Sequence, residues 1–223
     1  SETSPRVQLY LASALQRLPI ESRWKLATTL AGKESVAEDR TLGLMIWYGI
    51  QPAVPADPTR AIELYNQSKS LIVRRYVARR LAEEIEQYPA MIDSLLASAT
   101  DPVDVIAGMG EAFNGWSRAT MPANYTPAVE RLSSQAKVAL ADTLRSIGVI
   151  FGDGRSTEEL LALLKTGDLD QKRRAIRTLA TSPSAELQAI LMPMVADREL
   201  QVDVIRALAS FDDVAVADRI LQS

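Results

Sequence analysis

The sequence predicts an all-α fold, an α-solenoid (ARM/HEAT-like superhelix) of about seven two-helix repeats. Leucine and alanine recur along the whole 223-residue chain and only 5% of the residues are aromatic, which favours helices over sheets. No alternating strand pattern of useful length appears. One helical spacing of apolar residues returns about every 30 to 35 residues, which is the length of a helix pair.

The repeated segment has apolar residues at its first, fifth, sixth and ninth positions, as in VRRYVARRL at 73–81. At about 100° per residue these positions share one helix face, so we expect that face to be buried. The other copies are 7–15, 136–144, 171–179 (with glutamine at its first position) and 200–208, and looser copies begin at Leu42 and Val103. The copy from Val103 has Glu111 where leucine is expected.

Partner helices are predicted between the copies. A polar residue followed by proline is a helix-start signal, because proline fits the first turn, where its missing N–H has no partner to lose. The signals are SP at 4–5, DP at 57–58 and 101–102, and TP at 126–127. The predicted partner helices cover 20–30, 59–67, 89–97, 157–164 and 186–195.

The most apolar and aromatic passage is LMIWYGIQPAV at 44–54, which we interpret as a buried helix. Its Trp47 occupies a buried position of the second copy, so we expect it to fill a gap between repeats. Tyr48 is less constrained and can reach a surface. The apolar run is far shorter than the roughly 20 residues that cross a bilayer, so the sequence predicts no direct membrane insertion.

Composition excludes several kinds of chemistry. The chain has no cysteine and no histidine, which removes thiolate and imidazole metal sites, C-x-x-C-H haem attachment, and Ser/His or Cys/His catalysis. The net charge of −3 gives no general affinity for nucleic acid and argues against a repeat enzyme acting on it. Carboxylate-only or lysine-based chemistry stays possible on composition alone. We predict a protein that is not an enzyme, without catalytic residues, cofactor, metal or nucleic-acid partner.

Four short motifs resemble parts of chemical sites without their context. SQAK at 134–137 and KTG at 165–167 are similar to elements of serine penicillin-recognising enzymes, but S-D-N is absent and KTG is typical of a helix C-terminus. FGDGR at 151–155 lacks the remainder of a phosphate-binding loop. Asp168 and Asp170 lack the other ligands of a calcium loop, so a turn and helix cap is expected there.

The richest charged stretch is VRRYVARRLAEE at 73–84. It contains two oppositely charged pairs at i,i+4, Arg79 with Glu83 and Arg80 with Glu84. Arg74 projects towards the apolar face and needs a carboxylate or carbonyl partner, whereas Arg75 and Arg79 point outward. A solvated, self-paired face is the simpler interpretation, and contact with an anion or a partner is the alternative.

A further aromatic residue, Trp116, lies outside the repeat positions. Trp116 falls in NGWS, which is a helix end or a loop before Pro122. Its side chain can either pack over the edge of a repeat or take part in recognition of a partner. Arginine and tryptophan are common anchors of protein interfaces. Arg75, Arg79 and Trp116 therefore form the candidate interaction surface.

Two groups of motifs carry a resemblance to a known family. The first is WKLA at 24–27 with LMIWYGI at 44–50, and the second is FGD at 151–153, RAIRTL at 174–179, VAD at 195–197 and VIRALASFD at 204–212. Together they resemble the HEAT-like helical-repeat region of multidomain proteins from planctomycete-type bacteria, named membrane-bound dehydrogenases with haem-binding domains. The resemblance covers essentially the whole chain.

In that family the repeats lie between a β-propeller resembling sugar dehydrogenases and a c-type cytochrome domain. The resemblance implies a single solenoid domain over 1–223 within a larger exported, periplasmic protein, acting as a spacer or docking module for neighbouring domains or another protein. SP at 4–5 opens directly into a repeat and 213–223 has no obvious polar cap, so we expect a segment of a longer chain. The alternative is a stand-alone protein- or peptide-binding solenoid unrelated to electron transfer.

Overall fold

The computed structural model describes residues 4–211 of the chain. Within that span the regular secondary structure consists of α-helices and short 3-10 turns, with no strand, so the predicted all-α class is confirmed. Residues 213–223, on which part of the expectation of a longer chain rests, lie outside the described residues. The α-helices are α1 (Pro5–Ala14), α2 (Ile20–Ala31), α3 (Arg40–Ile50), α4 (Pro58–Gln67), α5 (Leu71–Ala82), α6 (Pro89–Ser98), α7 (Val103–Ala112), α8 (Tyr125–Arg131), α9 (Ser134–Ala139), α10 (Ala141–Ile150), α11 (Gly154–Thr166), α12 (Leu169–Leu179), α13 (Ala185–Met194) and α14 (Gln201–Leu208).

The described chain falls into two compact units. The first unit comprises 4–114 with 120–141, and the second comprises 115–119 with 142–211. The prediction of one domain over 1–223 stays a prediction.

Helices of the first unit pack in two alternating series. α1, α3, α5 and α7 contact one another in that order, and α2, α4, α6 and α8 do the same. Contacts of α2 with α3, α4 with α5 and α5 with α6 join the two series. The odd-numbered helices are those predicted from the repeated spacing, and the even-numbered ones include the predicted partner helices. The apolar face of α5 is buried at all four predicted positions: Val73, Val77, Ala78 and Leu81.

The second unit has its own apolar core. α11 packs against α12, α13 against α14, and α12 against α14. Their buried side chains include Leu160, Ile176, Leu191 and Val204, and Val149 of α10 joins them. Asp168 caps α12 with a capping box, in which its side chain accepts a hydrogen bond from Gln171 N at 2.8 Å. The helix cap predicted at Asp168 is therefore confirmed.

The copy at 136–144 is not the single buried helix that the spacing predicted. The chain forms α9 and α10 on either side of Leu140, α9 buries none of its residues, and full burial in α10 begins only at Ile147. Two of the four predicted positions are alanines, which bury little apolar area. Ser133 caps α9 by accepting a hydrogen bond from Ala136 N at 3.1 Å, so the helix starts locally without a buried face.

The loose copy from Val103 is rotated relative to the prediction. Val103 is only partly buried, whereas Val105, Ile106 and Met109 are buried in α7. Gly108 lies on the buried face of α7, as predicted. A Cβ at this position would lie 2.6 Å from Arg75 O and 2.8 Å from Arg79 N. The missing side chain lets the backbones of α5 and α7 approach closely, and this fixes the register of α7.

Candidate functional site

The arginines of α5 emerge beside its buried face. Ser70 caps the helix, accepting a hydrogen bond from Val73 N at 3.4 Å, and the buried row from Val73 to Leu81 holds α5 in the core. The four arginines at 74, 75, 79 and 80 therefore lie at the edges of that face and beyond it. Each of them forms an ion pair with a carboxylate.

Arg74 forms the most buried of these pairs. It contacts Asp104 of α7, whose side chain is 11% exposed, and its guanidinium lies 5.9 Å from the centre of the Tyr65 ring on α4. Burial raises the pKa of the Asp104 carboxyl above its usual range, although the neighbouring Arg74 charge opposes the rise. Burial also raises the pKa of the Tyr65 hydroxyl. The predicted carboxylate partner of Arg74 is confirmed, and this cluster ties α4, α5 and α7 together.

The two predicted surface arginines are half-exposed and ion-paired. Arg75 pairs with Glu111 of α7, which explains an acidic residue where the repeat pattern predicts leucine. Arg79 Nε donates to Glu83 at 3.0 Å, and Arg80 lies 2.7 Å from a carboxylate oxygen of Glu84. Both predicted i,i+4 pairs are thus confirmed, as is the self-paired character of this face.

The aromatic passage of α3 lies against this part of α5. Trp47 is buried and stacks on Tyr76, with ring centres 5.3 Å apart and planes inclined by 21°. The predicted packing role of Trp47 is therefore confirmed. Tyr48 is 52% exposed, which confirms the expectation that it reaches a surface.

A cleft with a volume of ≈ 230 Å³ opens where these groups meet. We call it the α3–α5 cleft, and its main lining residues are Trp47, Tyr48, Tyr76, Arg79, Arg80 and Glu83. The cleft presents aromatic rings, two guanidinium groups and one carboxylate. Such groups can stack on flat side chains, cover apolar ones and donate hydrogen bonds to carboxylate or carbonyl oxygens.

α3 is held so that this edge stays accessible. Asp39 caps the helix by accepting a hydrogen bond from Leu42 N at 2.9 Å. Leu42, Ile46 and Ile50 then turn into the core, and all three are at most 1% exposed. Tyr48 lies between these positions in sequence, and this places it on a different face of the helix.

Trp116 is not part of this cleft. It lies in the loop after α7, is half-buried, and belongs to the second unit, whereas Arg75 and Arg79 belong to the first. Its segment is joined to α10 by Ala119 N donating to Ile150 O at 3.0 Å. The predicted loop position of Trp116 is confirmed. Of the three residues predicted to form the interaction surface, Arg75 and Arg79 lie together on α5.

The sequence analysis missed Tyr76 and the partnership of Arg74 with Asp104. Tyr76 stands between the buried positions of its copy and carries no motif of its own. The ion pair did leave a signal, because Arg74 and Asp104 occupy the second position of successive copies. Opposite charges at equivalent positions of adjacent repeats indicate a contact between their helices.

The two lysine motifs, SQAK at 134–137 and KTG at 165–167, are parts of ordinary helices. Lys137 Nζ donates to Glu130 O at 3.4 Å, so SQAK lies on the surface helix α9. Lys165 and Thr166 end α11 and Gly167 follows as its cap, which confirms KTG as a helix C-terminus. SQAK belongs to the first unit and KTG to the second.

Residues 4–211 contain neither a metal-binding cluster nor a membrane-spanning helix. No group of three or more acidic side chains in that span is arranged to hold a metal ion. None of its helices combines the length and apolar character needed to cross a bilayer. In comparisons with known proteins, no family model, no curated protein and no solved structure matches the chain.

Proposed function

We propose that this chain is a non-catalytic helical-repeat interaction domain, an α-solenoid of about seven two-helix repeats, and that a protein or peptide partner docks at the α3–α5 cleft. The alternating packing of odd- and even-numbered helices in the first unit supports the solenoid. In such repeats the curvature of the stacked helices creates an extended concave binding surface.

One observation carries the docking role: half-exposed Tyr48 stands beside the Trp47–Tyr76 stack and the half-exposed Arg79. Aromatic residues and arginine are enriched among the residues that supply most of the binding energy of protein interfaces. The buried stack makes the cleft wall rigid, so little side-chain freedom is lost on binding. Arg79 is held by a half-exposed pair with Glu83, and such a pair is easily exchanged for a partner's carboxylate.

Partner capture with matched variants tests this role. The immobilised chain is incubated with extract of the source cells, beside Tyr48→Ala and Arg79→Ala. The controls are Tyr88→Ala, which removes a tyrosine of similar exposure at the N-cap of α6, and Arg60→Ala, which removes a paired surface arginine of α4. We expect a protein that is retained by the wild type and both controls and lost from both cleft variants. Equal retention by all five chains would exclude docking at the cleft.

We further propose that the domain is a spacer or docking module between a dehydrogenase-like propeller and a c-type cytochrome domain of a larger exported protein. The motif resemblance supports this context. An antibody to the chain, used beside a haem-stained gel of the source cells, tests it. A haem-staining band far above 24.4 kDa is expected. A haem-free band near that mass would favour the stand-alone peptide-binding solenoid.

A further inference from the structure

A second cleft lies within the second unit, among α10, α11 and α12. Its volume is ≈ 260 Å³. It is lined by three arginines, Arg145, Arg174 and Arg177, and by the apolar side chains of Leu160, Leu163 and Ala175. We call it the arginine cleft.

Positive charge exceeds negative charge in this lining. Among the described residues Asp142 is its one carboxylate, and it serves two guanidinium groups: one oxygen lies 2.9 Å from Arg145 and the other 3.0 Å from Arg174. The carboxylate that pairs with Arg177 comes from outside the cleft, since Asp203 of α14 lies 3.0 Å from it. Each guanidinium has five N–H donors, so donors outnumber the acceptors that the cleft supplies.

Asp203 itself is shared. Arg173 also reaches it, at 3.5 Å, and the side chain of Asp203 is only 11% exposed. This carboxylate is therefore fixed in place and belongs to the contact between α12 and α14. Arg177 is held by it at one edge, while its side chain stays 65% exposed and available at the mouth of the cleft.

The carboxylates on the other two arginines are exposed and exchangeable. The Asp142 side chain is 62% exposed, and Glu159, which lies 3.4 Å from Arg145, is 64% exposed. Ion pairs this exposed contribute little to stability. An incoming carboxylate can take over their contacts with Arg145 and Arg174 at little cost, because it offers the same planar pair of oxygens to the guanidinium groups.

The apolar lining favours a ligand that is more than a bare anion. Leu163 is only partly buried beside the arginines, so a ligand with an aliphatic portion next to its carboxylate removes further apolar surface from water. A glutamate side chain next to a leucine has this form. Inorganic phosphate matches the guanidinium groups but makes no use of the apolar lining.

We propose that the arginine cleft binds an acidic segment of a protein partner, with a glutamate or aspartate carboxylate replacing Asp142 on Arg145 and Arg174. This inference deepens the proposed interaction role, but it concerns a separate site in the other unit. The purified chain tests it without the partner of the α3–α5 cleft, so the two proposals can fail independently.

The experiment is an NMR titration of the ¹⁵N-labelled full chain with the capped tripeptide N-acetyl-Glu-Leu-Glu-amide. We expect saturable shifts in the signals of 142–146 and 174–178, and none with the matched peptide in which glutamine replaces both glutamates. Arg174→Gln should weaken binding about ten-fold or more. Arg155→Gln should leave binding unchanged, since Arg155 is an 84% exposed arginine of the same unit outside the cleft.

A gain of affinity distinguishes a ligand site from a structural cluster. Asp142→Asn removes the competing carboxylate while keeping the shape of the side chain, so peptide binding should become several-fold tighter. Equal weakening by Arg174→Gln and Arg155→Gln, unchanged affinity in Asp142→Asn, or equally strong binding of inorganic phosphate would each overturn the proposal.

Discussion

Asp104 lies in the contact between α5 and α7, with its carboxylate against the guanidinium of Arg74 and 11% of its side chain exposed. A carboxylate removed from water in this way needs its ion-pair partner, because the protein interior has no water to solvate the charge. The Tyr65 ring completes the surroundings of Arg74. The pair therefore sets which turns of α5 and α7 face each other, more than it adds to stability.

Asp104→Ala should lower the free energy of unfolding by about 2 to 4 kcal/mol, since it leaves the Arg74 charge partly buried and unpaired. The double variant Arg74→Met with Asp104→Leu should recover most of that loss, because an apolar pair of similar volume removes both desolvation costs. Chemical denaturation measures the free energy of unfolding of the single and the double variant. A double variant less stable than Asp104→Ala would contradict this account.

Because the pKa of Asp104 is raised in the native state, the free energy of unfolding should change with pH in a known direction. The native state holds this proton more tightly than the unfolded state, so the contribution of Asp104 to stability is greatest below the ordinary aspartate pKa and falls as pH rises through the native value. Arg74 and Arg75 lower the pKa, whereas Asp101 adds to the rise that burial causes.

The measurement is the difference in unfolding free energy between the wild type and Asp104→Asn, from about pH 3 to about pH 7. We expect this difference, wild type minus variant, to decline as pH rises over the acidic part of that range. A difference that grows with pH would show that the Arg74 charge outweighs burial.

At the scale of helices, Gly108 determines how closely α7 approaches α5. Gly108→Ala places a methyl group 2.6 Å from Arg75 O and 2.8 Å from Arg79 N, both backbone atoms that cannot rotate away. The helices must separate, and overpacking of this kind costs about 1 to 3 kcal/mol. Thermal unfolding should show a lower midpoint for Gly108→Ala.

Gly154→Ala is the matched control for that substitution. Gly154 begins α11 and a Cβ there meets no atom within 4 Å. The same change should be neutral or stabilising by up to about 1 kcal/mol, because it reduces the freedom of the unfolded chain. Equal stability of the two variants would mean that the close approach at Gly108 does not constrain the α5–α7 contact.

The apolar spacing predicted helices well and their contacts less well. The face of α5 is buried as predicted because its four positions carry Val, Val, Ala and Leu. At 136–144 the same spacing failed, since alanines supply too little apolar area and the Ser133 cap starts a separate short helix. Spacing identifies which face of a helix is apolar, whereas the register between two helices depends on side chains such as Gly108 and Asp104.

At the scale of the whole molecule, the sequence predicted which residues of the candidate sites are exposed but not which of them lie together. Arg79 and Tyr48 could be predicted at a surface because they fall outside the buried positions of their copies. The α3–α5 cleft could not, since it needs α3 and α5 to meet at Trp47 and Tyr76. The arginine cleft joins three helices, and its Arg145 and Arg174 share no local motif. Only packing brings such residues together.

Site-specific photo-crosslinking at position 48 in the source cells tests the central claim most directly. A photoreactive phenylalanine analogue replaces Tyr48 in one strain and Tyr88, a tyrosine of similar exposure, in another. If the α3–α5 cleft docks a partner, illumination should give a discrete crosslinked product from position 48 that is absent from position 88. No product from position 48, or the same products from both positions, would contradict the account.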